Sequence, residues 1–293
     1  MKLNSVTRKQ LPWIYLFLLP SITIFLVFYL VPILTVLTTS FSRWDGYNPP
    51  TWIGFRNYSI LFSRSVFRIS LRNLLWWSVI AGTLHVGFGV VIAFLFYRQP
   101  FGWKVVRTAY MVPMVISAAA WAMIYRFFFN NEFGLLNGVI RLAFPDFQVN
   151  WLFQSPHAFW AVTLTWLFYA VIITLVVHAD LMAIPSAIHE AARIDGADGL
   201  KKILRIDLPL VRFSIGTSII MAITSRIAMY EAVALTTRGG PGDDTMNIPI
   251  ILVNAITDMN FGYANAAAVV MLLLGILTLV LVNRLFRMDE PVY

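Results

Sequence analysis

The chain has 293 residues, 59% of them hydrophobic and only 12% charged, about half the charged fraction of a typical soluble domain, so its composition predicts a membrane protein. The net charge of +8 is the excess expected where basic residues flank membrane spans on the cytoplasmic side, and it does not by itself indicate a nucleic-acid partner. Because cysteine is absent and the four histidines are scattered, disulfides, thiolate catalysis and the usual Cys and His metal sites are excluded.

Six apolar segments are long enough to cross a bilayer, since a helical span needs about 20 apolar residues. The first of them is too long for a signal-peptide core, so we expect it to remain as a membrane span. Pro20 and Pro32 predict kinks in this first span, and Pro113 interrupts the third. We expect one all-α membrane domain covering residues 1–293. Its predicted spans are residues 13–37, 73–97, 105–125, 159–184, 209–235 and 264–282.

The distribution of basic residues predicts that both chain termini lie in the cytoplasm. In this orientation the cytoplasmic segments carry 13 lysines and arginines, whereas the external segments carry 8. The cytoplasmic segments are also short, which is where the positive-inside rule applies best. Lys2, Arg8 and Lys9 precede the first span, and Arg287 follows the last.

The first external loop mixes apolar residues with arginines over residues 55–77. Arg64, Arg68 and Arg72 recur at a spacing of four, which places them on one face of a helix. This pattern predicts an amphipathic helix lying on the outer membrane surface. The alternative is a loop that simply covers the helix bundle.

A polar segment, residues 185–208, separates the fourth and fifth spans and contains more than a short connector needs. Pro185 ends the fourth span, Ser186 can cap a new helix, and Gly196 can end that helix in a left-handed conformation. Alanines between them leave one side of the helix thin, so that another protein can approach its backbone closely. A basic loop anchored to anionic lipid is the alternative, but it leaves the alanines, the acidic residues and the glycine unexplained.

The polar segment also carries a resemblance to a known family. Glu190-Ala191-Ala192, Asp195-Gly196 and Ile206-x-Leu208-Pro209 resemble the EAA loop of binding-protein-dependent ABC importer permeases. Two further segments are similar to the sugar-transporter branch, the maltose-transporter-like permeases. They are Ile53-Gly54-Phe55-x-Asn57-Tyr58, and Leu235-Thr236-x-Arg238-Gly239-Gly240-Pro241 followed by Phe261-Gly262-Tyr263-Ala264.

The resemblance implies a six-span, type I ABC importer fold in the bacterial cytoplasmic (inner) membrane. It also implies a transport subunit and not an enzyme, working in the lipid bilayer with a second homologous permease subunit, two cytoplasmic ATPase subunits and an extracytoplasmic solute-binding protein. ATP and Mg would be bound by the ATPase subunits, because this chain has no GxxxxGK[ST] loop. No cofactor is therefore expected in the chain itself.

The same resemblance assigns roles to individual residues. The EAA helix would sit in a cleft of the ATPase, with Glu190 as the charged contact. Ala191, Ala192, Asp195 and Gly196 would complete this ATPase-coupling surface. Gly239, Gly240 and Pro241 form a predicted tight external turn, which is a candidate contact for the binding protein.

Arg226 is the most costly residue to accommodate in the membrane, since a charge there must reach water, a partner or the headgroups. On a continuous helix it shares a face with Tyr230 and not with Glu231. Snorkelling to the outer headgroups is one expectation, and lining a substrate path for an acidic oligosaccharide is the other. Rings and hydroxyls suit a sugar, which stacks on aromatic faces. The substrate-path candidates are Trp166, Tyr169, Thr224, Arg226, Tyr230, Glu231 and Asn265.

Two functions remain open from the sequence. The first is the translocation subunit of an ATP-driven, binding-protein-dependent importer for an oligosaccharide, working by alternating access. The second is an ion-coupled secondary transporter that acts without an ATPase, with His85, Arg226 and Glu231 as coupling residues. His85 and His178 would form its proton relay, although such histidines more often hydrogen-bond neighbouring helices. The EAA loop favours the importer, because a transporter working alone needs no ATPase-docking element.

Overall fold

The computed structural model describes residues 5–286, and the side chains of residues 10–286. Lys2 and Arg287, which entered the predicted orientation, lie outside the described residues, as do the side chains of Arg8 and Lys9. The chain folds into two compact units. The first contains the residues up to Leu61 together with Leu252–Val270, and the second contains Phe62–Ile251 together with the residues from Met271 onward.

A long apolar helix opens the first unit. α1 (Ser5–Phe25) continues through a π-turn, Leu26–Leu30, into α2 (Val31–Thr39). The π-turn precedes Pro32, whose ring clashes with the carbonyl four residues earlier in a regular helix. The kink predicted at Pro32 is therefore a local change of helical register, whereas Pro20 lies within α1 without interrupting it.

A small hairpin follows the first span. β1 (Ser42–Arg43) pairs antiparallel with β2 (Thr51–Trp52). Asn57 is only 5% exposed and closes the hairpin from inside, donating its amide hydrogens to the carbonyls of Ser40 and Ser42, both at 2.9 Å. This explains why an asparagine follows the strand, since both carbonyls would otherwise be buried without a donor.

Gly262, at the start of α17 (Phe261–Phe286), has no room for a side chain. Its N–H donates to the carbonyl of Trp44 at 3.1 Å, and a methyl group on its Cα would overlap the carbonyl oxygen of Ser42. Because that oxygen belongs to the backbone, it cannot rotate away. We expect Gly262→Ala to lower the free energy of unfolding by roughly 1–3 kcal/mol, the usual cost of overpacking. Thermal unfolding of the purified protein in detergent measures this.

Gly275→Ala is the matched control, because it lies in the same helix and an added Cβ meets nothing within 4 Å. Alanine is the better helix former at such a site, so its melting temperature should stay the same or rise. Equal melting temperatures for the two variants would show that Gly262 is not closely packed.

Two long spans build the second unit. α4 (Ser65–Ile80), the π-turn Ala81–His85 and α5 (Val86–Tyr97) form one continuous helix, whereas α9 (His157–Leu167) and α10 (Val171–Ala183) form one span with a short break between them. α5 packs against α10 at Gly89, where an added Cβ would come within 2.6 Å of Ile173. Trp77 on α4 donates to the hydroxyl of Thr163 on α9 at 3.0 Å. The core of the unit lies between these two spans.

The single amphipathic helix predicted over residues 55–77 is not observed. The segment contains α3 (Arg56–Ser63) and then the first turns of α4, so the helix of the second span begins at Ser65. Phe67 is fully buried, and Arg68 donates to the carbonyls of Phe62 and Ser63 at 3.2 and 2.7 Å. The arginine therefore satisfies the carbonyl end of α3, which otherwise lacks donors.

The third span is broken at the turn that contains Pro113, where an interruption was predicted, and the fifth span is bent, which was not predicted. α6 (Trp103–Met111) leads through the 3₁₀ turn Val112–Val115, which contains Pro113, into α7 (Ala118–Phe128) at 105°. The fifth span bends by 69° between Leu210 and α14 (Arg212–Ile227). Counting each bent pair once, the described residues contain six spans. The remaining helices are α8 (Leu135–Arg141), α11 (Ser186–Ile194), α12 (Gly199–Lys202), α13 (Leu208–Leu210), α15 (Glu231–Ala234) and α16 (Ile248–Thr257).

Candidate functional site

The polar segment forms α11 and then a tight stop. α11 follows Pro185 directly, so Ser186 is its first residue and not the cap that was expected. Gly196 has a φ of +69°, its N–H donates to the Arg193 carbonyl at 3.1 Å, and the next N–H donates to the Ala192 carbonyl at 2.8 Å. These two bonds define a Schellman motif, so the left-handed stop predicted at Gly196 is confirmed.

The surface of α11 is divided between an exposed and a buried side. Glu190, Ala191, Asp195 and Gly196 are exposed to solvent. Ala192 is only 4% exposed, and the small side chain lets α11 lie close to the rest of its own chain. The expectation that Ala192 contacts a partner directly is therefore corrected.

Three large apolar side chains of the polar segment are exposed as well. Ile194 is 87% exposed and Leu200 67%, and Leu204 is exposed as well. Ile194 is the last residue of α11 and was not among the predicted contact residues. Clustered exposed apolar residues on a polar segment are typical of a protein–protein contact.

A second group of residues surrounds Arg226, in the last turn of α14. The guanidinium carbon lies 4.2 Å from the ring centroid of Trp166, the arrangement of a cation–π contact. Nε and one terminal nitrogen lie 3.3 and 3.1 Å from the hydroxyl oxygen of Ser225. Among the described side chains, no carboxylate lies within 4.0 Å of this guanidinium. Arg226 is therefore held in place without neutralisation.

Arg226 lines a cavity of about 240 Å³, here called the Arg226 cavity, together with Ser225, Tyr169, Met221 and His85. The remaining wall is apolar and comes mainly from residues 170–173 of the fourth span. One cation and a few hydroxyl groups thus face an apolar space inside the second unit. Small-molecule sites usually have this composition.

Aromatic and imidazole groups fix the wall behind Arg226. The His85 Nδ1 atom lies 2.9 Å from the Leu167 carbonyl oxygen, and its ring meets the Trp166 ring edge-on with centroids 5.6 Å apart. His85 thus hydrogen-bonds a neighbouring span, as intramembrane histidines commonly do. The Trp166 Nε1–H is buried and has no acceptor among the described residues.

The other substrate-path candidates do not line the Arg226 cavity. Thr224 donates to the Ile220 carbonyl of its own helix at 2.7 Å. Tyr230 packs against the apolar core of the second unit, and Glu231 is exposed at the first position of α15. Asn265 belongs to the first unit, where it donates to the Thr39 hydroxyl at 2.7 Å.

The end of α14 explains why Tyr230 does not line the Arg226 cavity with Arg226. The helix stops at Ile227, and the Arg226 carbonyl accepts from the Met229 N–H at 3.3 Å in a turn. The periodicity that paired Arg226 with Tyr230 on one face therefore does not apply. Of the seven candidates, the structure brings together Trp166, Tyr169 and Arg226. Sequence reasoning missed Ser225, although its position next to Arg226 is a usable signal.

The Gly239–Pro241 turn is confirmed as tight and is anchored on the second span. Gly239 is buried with a φ of +91°, and its carbonyl accepts from the Thr245 N–H at 3.1 Å. Asn73 on α4 donates to the carbonyls of Asp244 and Met246 at 2.9 and 3.0 Å. Gly240 and Pro241 are half-buried, so the exposed surface of this turn is provided by its neighbours.

Comparison with known proteins gives a consistent result. The model of the family described as binding-protein-dependent transport system inner membrane component matches residues 85–289. The diacetylchitobiose uptake system permease protein of Streptomyces coelicolor is 32% identical, over 96% of this chain and 85% of the relative. The sulfoquinovosyl glycerol transport system permease protein of Agrobacterium fabrum is 29% identical, over 97% of both chains.

A solved structure has the same fold. It is a bacterial ABC transporter involved in the import of the acidic polysaccharide alginate, and it superposes with a TM-score of 0.81 at 22% identity, over 97% of this chain and 98% of that one. The predicted all-α, type I permease fold is thus confirmed. The family match also confirms a multi-pass inner-membrane transport subunit and not an enzyme, and it decides against a secondary transporter working alone. The chain belongs to the family of inner-membrane components of binding-protein-dependent transport systems.

Proposed function

We propose that this chain is the translocation subunit of an ATP-driven importer for an acidic oligosaccharide. The observation that carries the proposal is the unneutralised Arg226 guanidinium, held against Trp166 at the wall of the Arg226 cavity. An intramembrane cation is costly unless it serves a partner or a ligand. A carboxylate on the substrate supplies the missing partner during passage.

The chemistry of the guanidinium suits this role. Its planar N–H groups match the two oxygens of a carboxylate, and a stacked guanidinium is already oriented for such a contact. Ser225 occupies part of the donor set at 3.1 Å, and the remaining N–H groups are available to a ligand. The closest described alternative, a 3.9 Å contact with the Met229 sulfur, is a weak one.

A sugar is supported by the aromatic groups and by the relatives. Trp166 and Tyr169 stand at the break between α9 and α10, beside Arg226. Sugars present hydroxyl groups to polar side chains and C–H faces to aromatic rings. The relatives described above are named for a chitobiose derivative and a glycosyl glycerol, and the superposed transporter for alginate, an acidic polysaccharide.

We further propose the partners that the transport cycle requires. Two ATPase subunits, which bind ATP and Mg, dock on the two permeases, one on each. On this chain the ATPase contacts the exposed side of the polar segment, with Glu190, Ala191, Asp195 and Gly196 in the contact. A second homologous permease completes the translocation path. The solute-binding protein docks outside, near the Gly239–Pro241 turn, through exposed neighbours such as Arg238 and Gly242. Alternating access then moves the sugar from the binding protein to the cytoplasm.

Uptake by whole cells tests this function. A strain lacking this chain is compared with the same strain carrying the wild-type chain, using a labelled uronate oligosaccharide and a neutral glucan of equal length. We expect complementation to restore uronate uptake at least about tenfold over the neutral sugar, the effect of roughly 1.4 kcal/mol of recognition. Preference for the neutral glucan would contradict an acidic substrate, and uptake that is independent of the chain would contradict the importer itself.

A further inference from the structure

The polar segment contains a buried carboxylate. Asp207 ends the π-turn Ile203–Asp207, which lies between α12 and α13, and its side chain is only 2% exposed. A carboxylate at such a position requires charged or hydrogen-bonding partners. One of its oxygens lies 3.1 Å from His189 Nε2 on α11, and the other lies 3.9 Å from Lys202 Nζ on α12. A single carboxylate therefore connects both helices of the polar segment.

The contact continues to the second span. The hydroxyl oxygen of Tyr97, the last residue of α5, lies 3.4 Å from His189 Nδ1, and the two rings are close to perpendicular at 72°. Lys202 Nζ lies 6.0 Å from the centre of the Tyr97 ring. We call Tyr97, His189, Lys202 and Asp207 the Asp207 cluster. It joins the end of the second span, α11 and the approach to the fifth span.

Asp207 is also adjacent to the bend in the fifth span. Its carbonyl accepts from the Val211 N–H at 3.1 Å, and Val211, 1% exposed, is the residue at which the chain turns by 69° into α14. Arg226 lies in the last turn of that helix. A movement of α11 that displaces Asp207 therefore acts on the helix that carries Arg226.

The two sides of α11 separate docking from transmission. His189 and Ala192 are three residues apart, so they share the side of the helix that faces the chain. Glu190 and Ala191 are exposed. Asp207 also resists separation from Lys202, because losing this contact would leave the carboxylate uncompensated in a buried position.

We propose that Asp207 is a positioning residue that transmits movement of α11 to the second and fifth spans. This inference rests on the proposed function, in which an ATPase moves α11. Without the carboxylate, α11 still docks and the ATPase still hydrolyses ATP, but the movement is no longer delivered fully to the spans. The consequence is uncoupling, and not loss of assembly.

The test uses the complete transporter in proteoliposomes, with its ATPases, second permease and binding protein. Asp207→Asn keeps the side-chain shape and removes the charge. We expect the ATPase to co-purify as in the wild type, while the sugar transported per ATP falls by about fivefold or more, the scale of a typical coupling free energy. Asp198→Asn is the control, since Asp198 is exposed on the same segment, and its ratio should not change.

A distance measurement distinguishes positioning from a general loss of structure. Because the chain has no cysteine, single cysteines at the exposed positions Ala187 and Arg98 can carry spin labels on α11 and just after the second span. Double electron–electron resonance should give a broader distribution of distances between the two labels in Asp207→Asn than in the wild type or in Asp198→Asn. An unchanged distribution together with an unchanged transport ratio would overturn the proposal.

Further outcomes separate this inference from the proposed function. Absence of any ATPase on the wild-type chain would contradict the proposed function, whereas a bound ATPase with normal coupling in Asp207→Asn contradicts only the transmission role. Where Asp207→Asn does not elute as a monodisperse protein, Lys202→Gln replaces it, with the exposed neighbour Lys201→Gln as control. Equal transport ratios in these two variants overturn the proposal as well.

Discussion

Uptake of an acidic oligosaccharide is expected to fall by about 10- to 100-fold when Arg226 is replaced by Met, the effect of losing roughly 1.5–3 kcal/mol from one charged hydrogen-bonded contact. Met keeps much of the aliphatic volume beside Trp166 and removes the donors that would meet a carboxylate. Initial rates of uptake of a labelled uronate oligosaccharide measure the loss. Binding-protein-stimulated ATP hydrolysis, measured with the neutral glucan, should change little.

Two further variants sharpen this result. Arg226→Lys keeps the charge but loses the planar fork and its stacking on Trp166, so its rate should lie between those of the wild type and Arg226→Met. Arg126→Met removes an exposed arginine at the end of α7 and should leave uptake unchanged. Unaltered uronate uptake in Arg226→Met would show that the guanidinium serves only the packing of α14.

Charge reversal at Glu190 is expected to remove the ATPase from the purified complex. Glu190 is exposed on α11, and an interfacial charge that loses its partner costs about 2–5 kcal/mol, enough to reduce the co-purified ATPase at least about tenfold. Affinity purification of Glu190→Lys, followed by quantification of the ATPase subunit and of transport, measures both effects. Transport should fall in parallel with the bound ATPase.

The matched control for this variant is Glu132→Lys, which makes the same change at an exposed position in the connection between the third and fourth spans. It should retain the ATPase and normal transport. Full ATPase recovery and unchanged coupling in Glu190→Lys would remove Glu190 from the docking surface, whatever the role of the neighbouring alanines.

The apolar runs were sufficient to predict the number of spans, because a bilayer imposes length and composition on a helix more strongly than any partner does. The bends were not predictable to the same extent. Pro113 signalled the break in the third span, but no bend was predicted at Val211. That bend lies beside the Asp207 cluster, whose members Tyr97 and Asp207 are far apart in the sequence.

The start of the second span is another feature that the sequence pattern could not predict. Arginines at a spacing of four fit a surface helix and a span end equally well, since both expose one face. The decision comes from tertiary contacts: Phe67 is fully buried, and Asn73 binds the carbonyls of the Gly239–Pro241 region. Asn73 is far in sequence from the residues whose carbonyls it binds.

The site residues also divide into those predictable from local sequence and those that depend on contacts between distant parts of the chain. The EAA motif located α11 and its glycine stop, since both follow from local backbone chemistry. The orientation of Ala192 did not follow, because alanine is tolerated on either side of a helix. The contact between Trp166 and Arg226 joins two different spans, and the end of α14 at Ile227 removed Tyr230 from the predicted face.

Reconstituted transport tests the central claim most directly. The purified transporter, with its ATPases, second permease and binding protein, is placed in proteoliposomes and given either a labelled uronate oligosaccharide or a neutral glucan of the same length. We predict accumulation that requires both ATP and the binding protein and that is at least about tenfold faster for the uronate. Accumulation driven by an ion gradient without ATP, or equal rates for the two sugars, would contradict the account.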